Sequence, residues 1–143
     1  MAKYNIREPK PKEAVYRTLV NPNVMTAMKE GIQKVIVGQK KYRDKDYSAK
    51  QLAQDLCTNT RYISAVVNVM FGMNYSNYVN QFRIKEAMKI LANPNNRELR
   101  MQDVSDMVGF ANRQSFYAAF YRVNRTTPRE YRQNQLKQNN RGE

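Results

Sequence analysis

Residues 104–124 read VSDMVGFANRQSFYAAFYRVN. Val104 and Val108 stand one helical turn apart, and Gly109-Phe110-Ala111 interrupts the run before Asn112. Asparagine is a strong helix N-cap, because its side-chain oxygen accepts a backbone N–H from the first turn. Beyond it, Phe116 at +4 and Phe120 at +8 mark the stripe of a second helix, with Ala119 and Val123 expected inside and Val104, Met107 and Val108 buried on the first. A short helix, a tight turn and a second helix make a helix-turn-helix.

The same arrangement occurs once earlier. Leu52-Ala53 and Leu56 lead through Cys57-Thr58 to Asn59, followed by Ile63 at +4 and Val67 at +8. The two asparagines are 112 − 59 = 53 residues apart, so the chain carries an internal repeat. Ser48 with Gln51 fits a capping box for the first short helix. Between the repeats, Ser76 is expected to cap a linker helix over about 77–92, packed through Tyr78, Val79, Phe82, Ala87, Ile90 and Leu91 and stopped by Asn93-Pro94.

Outward from this frame, Asn21-Pro22 begins a helix over 22–37, and Gly38 is a plausible stop. Residues 39–47, QKKYRDKDY, are a charged connector. Thr127-Pro128 with Glu130 opens a last helix reaching about Leu136. No period-two alternation persists, and the expected class is all-α with about seven helices. The expected map is a basic arm over 1–20 with one turn near Ala14–Leu19, and an N-terminal helix and connector over 21–47 packing on the first unit. The first helix-turn-helix then covers 48–75, the linker helix 76–93, the second unit with its C-terminal helix 99–137, and a frayed tail 138–143.

Composition narrows the chemistry. With no His, neither a His general base nor a Ser-His-Asp triad is available. A single cysteine excludes an intrachain disulfide and a CxxC zinc site, and Cys57 is expected as a small buried hydrophobe. No phosphate-loop glycine motif occurs, so no catalytic residue, metal or cofactor is assigned. Neither an apolar run of membrane length nor a signal-type start is present, and a cytoplasmic, nucleoid-associated protein is expected. Lys plus Arg is 25 against 12 for Asp plus Glu, a formal net charge of +13. Residues 1–50 carry +7 (12 basic, 5 acidic), 51–98 carry +2 (5 and 3) and 99–143 carry +4 (8 and 4). Basic flanks around a nearly neutral middle suit a long polyanion better than a membrane surface.

The segment VGFANRQSFYAAFYRVNRTTPREYR at 108–132 and the segment FGMNYSNYVNQFRIKEAMKIL at 71–91 resemble the DNA-binding domain of the AraC/XylS family of bacterial transcription regulators. The likeness runs from about Ser48 to Arg132. It implies two helix-turn-helix units joined by a long helix, with double-stranded promoter DNA as partner and RNA polymerase as a further one. Two positions depart from the family pattern: Arg125 stands where glycine is common, two residues before Thr127-Pro128, and Cys57 stands where the first turn often has glycine. Most relatives also carry a separate sensing domain; with 47 residues ahead of Ser48, no small-molecule effector pocket is expected here.

Helical spacing leaves Thr60, Arg61, Ser64, Ala65 and Asn68 outward on the first recognition helix, and Arg113, Gln114, Tyr117, Ala118 and Tyr121 on the second. Arg pairs bidentately with guanine and Asn or Gln with adenine. The expected base readers are therefore Thr60, Arg61, Ser64, Asn68, Arg113, Gln114 and Tyr117, positions at which the resemblance also implies base contact. Tyr121, Arg122, Arg125, Arg129 and Arg132 are the expected phosphate contacts. Arg83 is expected in a structural ion pair with Asp103 or Asp106. The competing reading is a non-specific architectural or RNA-binding protein; a methyl-accepting repair enzyme would need a cluster of metal-ligating cysteines. Two readers in one chain make a monomer sufficient, and a dimer is compatible.

Overall fold

A computed structural model describes residues 21–141. Among them are seven α-helices and no strand, and the chain divides into two compact units. The expected arm over 1–20 lies outside the described residues.

The first unit is built from residues up to Gln39 and from Tyr47–Tyr78. Helix α1 (Pro22–Gln33) starts as the sequence implies: Asn21 Oδ1 accepts the Asn23 N–H at 2.9 Å and Pro22 takes the first helical position. Its last turn widens into a π-turn over Lys34–Gly38, where the Gln39 N–H reaches back to the Lys34 carbonyl at 2.8 Å. Chain reversal then falls on Lys40 in the left-handed region (φ 57) rather than on Gly38. Helix α2 (Ala49–Asp55) is capped by Ser48 Oγ, which accepts from the Gln51 N–H at 3.2 Å. Helix α3 (Thr60–Phe71) ends on left-handed Gly72 (φ 71). Both α1 and α2 pack on α3. Their apolar stripes meet in a core of Ile32, Ile36, Leu52, Ile63, Val66 and Val67, all essentially inaccessible. Each such side chain stabilises the fold by about 1.5–3 kcal/mol relative to exposure. Because α3 is covered from two sides, its buried face is wider than one stripe, and Ala65, expected outward, is buried.

Helix α4 (Tyr75–Ala92) begins earlier than expected. Asn74, not Ser76, is its cap: Asn74 Oδ1 accepts the Asn77 N–H at 2.8 Å. Its residues through Tyr78 belong to the first unit and those from Val79 to the second.

The second unit comprises Lys40–Asp46 and the chain from Val79 onward. Pro94–Asn96 form a 3-10 turn capped by Asn93. Helices α5 (Met101–Val108), α6 (Arg113–Asn124) and α7 (Pro128–Arg141) follow. Ile84, Ala87 and Leu91 of α4 join Val104, Val108, Phe110, Phe116 and Phe120 in one core. The rings of Phe116 and Phe120 meet edge to face at 5.9 Å, as do those of Phe120 and Tyr131 at 5.4 Å. Met107 and Val123, expected inside, are 48% and 57% exposed. The buried face of α5 is Met101, Val104, Ser105 and Val108, and Met107 falls off it; Val123 sits in the final turn of α6, just before the chain reverses at Arg125. Helix α7 runs past Leu136 to Arg141, so the expected frayed tail is largely helical, and Asn139 Nδ2 donates to the Ala92 carbonyl at 3.1 Å.

The connector also departs from expectation. Residues 40–46 pack with the second unit, not the first. The Tyr42 hydroxyl donates to Glu86 at 2.8 Å and Arg43 Nε donates to the same carboxylate at 2.9 Å, with a second Arg43 nitrogen on its other oxygen. Partial burial works to raise the Glu86 carboxyl, but hydrogen bonds from Arg43 and Tyr42 outweigh it and hold the group below the usual carboxylate range. Arg83 is structural, though not through the expected carboxylates. Its Nε donates to the Tyr42 carbonyl at 2.6 Å, another nitrogen to Asn80 at 3.2 Å, and its guanidinium lies 5.5 Å over the Phe110 ring. Asp103 instead pairs with Arg100, and Asp106 accepts from Gln102.

Candidate nucleic-acid interface

The helix starts at Asn59 and Asn112 are built alike. Asn59 is extended (φ −133, ψ 168) and its Oδ1 accepts the Tyr62 N–H at 3.0 Å. Asn112 is extended (φ −156, ψ 167) and its Oδ1 accepts the Ser115 N–H at 2.8 Å. Each turn is entered through a left-handed residue directly after the preceding helical stripe: Cys57 (φ 58) after Leu56, and Gly109 (φ 103) after Val108. The second turn is one residue longer between stripe and cap. Buried Ser105 braces it, donating to the Asn112 carbonyl at 3.3 Å.

Cys57 is exposed, which corrects the expectation of a buried hydrophobe. A non-glycine residue in the left-handed region sits at a turn, here the position that faces solvent rather than the α2–α3 core.

Matching positions in the two units then carry the candidate readers. Thr60 and Arg61 follow Asn59, and Arg113 and Gln114 follow Asn112; all four are exposed. Five residues after each cap stand Ser64 and Tyr117, both half-buried. Tyr117 packs on the core, its ring 5.9 Å from that of Phe116. Nine residues after each cap stand Asn68 and Tyr121. Asn68 is half-buried and its amide donates to the Ser64 carbonyl at 2.8 Å, whereas Tyr121 is 52% exposed. The first turn of each helix is thus the part most open to a ligand.

The expected phosphate residues separate into two groups. Arg122 and Arg129 are exposed. Arg125 holds a left-handed conformation (φ 58) as the C-cap of α6, its N–H on the Tyr121 carbonyl at 2.7 Å. Arg132 is half-buried and has a packing task, donating to the Leu99 carbonyl at 2.6 Å. Sequence reasoning missed Arg97 and Arg100, which line one cavity together with Arg113, Arg129 and Arg132. The available signal was the pair of arginines in NNRELR (95–100), immediately before a helix start. Arg100 pairs with Asp103 at 3.1 Å, and the guanidinium holds the Asp103 carboxyl below its usual range. The described residues contain no cluster of metal-ligating side chains, and none of their helices is long and apolar enough to cross a membrane.

Comparison with known proteins agrees with this geometry. The residue pattern of the helix-turn-helix domain family matches residues 52–134. The chain is 26% identical over 90 residues to YtdP of Bacillus subtilis, described as an uncharacterized HTH-type transcriptional regulator, and spans 11% of that relative's length. Among solved structures, it is similar to the C-terminal domain of the two-component response regulator yesN from Fusobacterium nucleatum, with a TM-score of 0.64 and 28% identity over 73% of this chain and 96% of that one. The C-terminal domain of AraT, a response regulator from Geobacillus stearothermophilus, shares the fold at a TM-score of 0.64 and 20% identity, over 75% of this chain and 84% of that one. With the family pattern covering both asparagine-capped units and the helix between them, the chain belongs to the AraC-type family of helix-turn-helix domains.

Proposed function

We propose that the chain is a sequence-specific, double-stranded DNA-binding transcription regulator in which α3 and α6 read two adjacent major-groove segments of a promoter. The observation that carries this reading is the pair of like-built helix starts, each presenting exposed arginine within its first two residues. A recognition helix contacts base edges through its N-terminal residues. Arg61 and Arg113 suit guanine, and Gln114 suits adenine. Thr60 beside Arg61, and Ser64, Asn68 and Tyr117 further along the two helices, are secondary readers. Tyr121, Arg122, Arg125, Arg129 and Arg132 engage the backbone and give binding a steep salt dependence through counterion release. The DNA itself sets the spacing, since successive major grooves on one face lie about 34 Å apart. Action at the nucleoid, beside RNA polymerase and without catalysis, follows from this role, and one chain supplies both readers.

Selection from a randomised duplex library tests it. The expected product is a two-part motif with centres about 10–10.5 base pairs apart. Arg61→Ala should relax one half and Arg113→Ala the other, each at a cost of about 1–3 kcal/mol. A library that yields no enriched motif refutes sequence-specific binding; relaxation of the same half by both variants refutes the two-reader arrangement.

A further inference from the structure

The second unit contains a cavity of about 410 Å³ lined by Arg97, Arg100, Arg113, Arg129 and Arg132, with Glu98 at its wall. That volume lies within the roughly 300–1,000 Å³ typical of small-molecule sites. Little neutralises the arginines. Arg100 has Asp103. Arg97 and Arg132 are steadied by the uncharged carbonyls of Pro94 and Leu99, at 3.2 and 2.6 Å, which fixes their guanidinium groups without cancelling their charge. The side chains of Arg113 and Arg129 have no hydrogen bond or ion pair among the described residues. The first turn of α5, Met101 and Gln102, completes the wall.

We propose that this cavity binds a small anion carrying several linked phosphate groups, and that its occupancy competes with DNA. Arginine forks match phosphate oxygens bidentately. Five arginines lining one concavity exceed what a single DNA phosphodiester can use, and fit a ligand carrying several negative charges close together. Competition rests on the DNA-reading role proposed above: Arg113 opens α6 as a base reader and also lines the cavity, and one guanidinium cannot chelate a phosphate and a guanine edge at once. This departs from the expectation of no small-molecule effector pocket, which followed from the short stretch ahead of Ser48; the cavity lies inside the helix-turn-helix unit itself.

Calorimetric titration of the full chain with sodium tripolyphosphate, and with inorganic phosphate, at one fixed ionic strength tests the site. One-to-one saturable binding is expected, with tripolyphosphate at least about tenfold tighter than phosphate. Arg97→Gln and Arg129→Gln should each weaken tripolyphosphate by about tenfold, the worth of one charge-assisted hydrogen bond. Lys50→Gln, an equal loss of charge at an exposed position of α2, should change it less than about twofold. Equal loss in all three variants, or no saturation, overturns the site. In a second arm, tripolyphosphate should displace a duplex bearing the selected motif from the wild-type chain, and displace it about tenfold less well from Arg97→Gln. Duplex binding that persists at saturating tripolyphosphate overturns the competition. A chain that binds no duplex in the absence of tripolyphosphate faults the DNA reading instead, and the direct titration still judges the cavity.

Discussion

Gly109→Ala is the most informative single change available. Gly109 is the left-handed residue (φ +103) that turns the chain from α5 toward α6. An added Cβ would lie 2.7 Å from the Arg43 carbonyl carbon and oxygen, and closer still to the Tyr42 carbonyl oxygen. Those atoms are main chain, and the Tyr42 carbonyl is held by Arg83 while Arg43 is held by Glu86. Relief therefore cannot come from a rotamer change. Left-handed strain costs about 1–2 kcal/mol and overpacking about 1–3 kcal/mol more, so we expect a loss of about 2–5 kcal/mol. Gly72→Ala is the matched control: Gly72 is also left-handed (φ +71), but a Cβ there meets nothing within 4 Å. Its loss should stay near the strain alone, about 1–2 kcal/mol. Urea unfolding followed by circular dichroism measures both, and amide exchange assigns each loss to its own unit. The melting temperature should fall by roughly 2–4 °C for each kcal/mol in a chain of this size. Equal losses for the two alanines would refute the seating of residues 40–46 on the Gly109 turn.

Five further substitutions probe caps, turns and the Glu86 pair. Asn59→Ala and Asn112→Ala each delete a cap bond and should cost about 1 kcal/mol by urea unfolding, with Asn→Asp nearly neutral; an unchanged midpoint for either alanine would contradict its capping role. Cys57→Gly and Arg125→Gly relieve left-handed strain and should each raise stability by about 0.5–1 kcal/mol, after allowing for the greater freedom glycine gives the unfolded chain. Arg125→Gly should in addition lower the salt slope of duplex binding by about one. Glu86 is held below the usual carboxylate range, so its contribution is present above its unfolded pKa near 4.3 and is lost as pH falls through its folded value. Glu86→Gln should thus be destabilising by about 1–2 kcal/mol at neutral pH, with the gap to wild type closing in acid; a gap that is constant with pH would show that the Arg43 and Tyr42 bonds do not depend on the charge.

What could be read in the sequence was local. Asn21-Pro22, Ser48, Asn59 and Asn112 each announce a helix start through chemistry completed within three residues, and each start is where it was expected. The aromatic stripe Phe116-Phe120 likewise declares its burial by spacing alone. Spacing fails where burial depends on what covers a helix. Ala65 is inside because α1 joins α2 on α3, and Val123 is outside although it continues the stripe of Phe116, Ala119 and Phe120.

The candidate site divides along the same line. The exposure of Arg61, Arg113 and Gln114 was legible because the turn that caps a helix also determines which residues its first turn exposes. The arginine-lined cavity was not, because it assembles Arg97 and Arg100 from before α5, Arg113 from the start of α6 and Arg129 and Arg132 from α7. No local period links those positions; the common core under Phe110, Phe116 and Phe120 brings their elements together. Nor was the attachment of Lys40–Asp46 legible, since the partner carboxylate lies 43 residues beyond Arg43. Read alone, QKKYRDKDY is a solvated charge run. Its place is determined by two features of the second unit, Glu86 on α4 and a glycine at 109 whose missing side chain leaves room for the Tyr42 and Arg43 backbone. A charged side chain at one end and an absent Cβ at the other form a single receptor for the connector. Glu86→Gln and Gly109→Ala should therefore lose less together than the sum of their separate losses, because either one alone already loosens that segment.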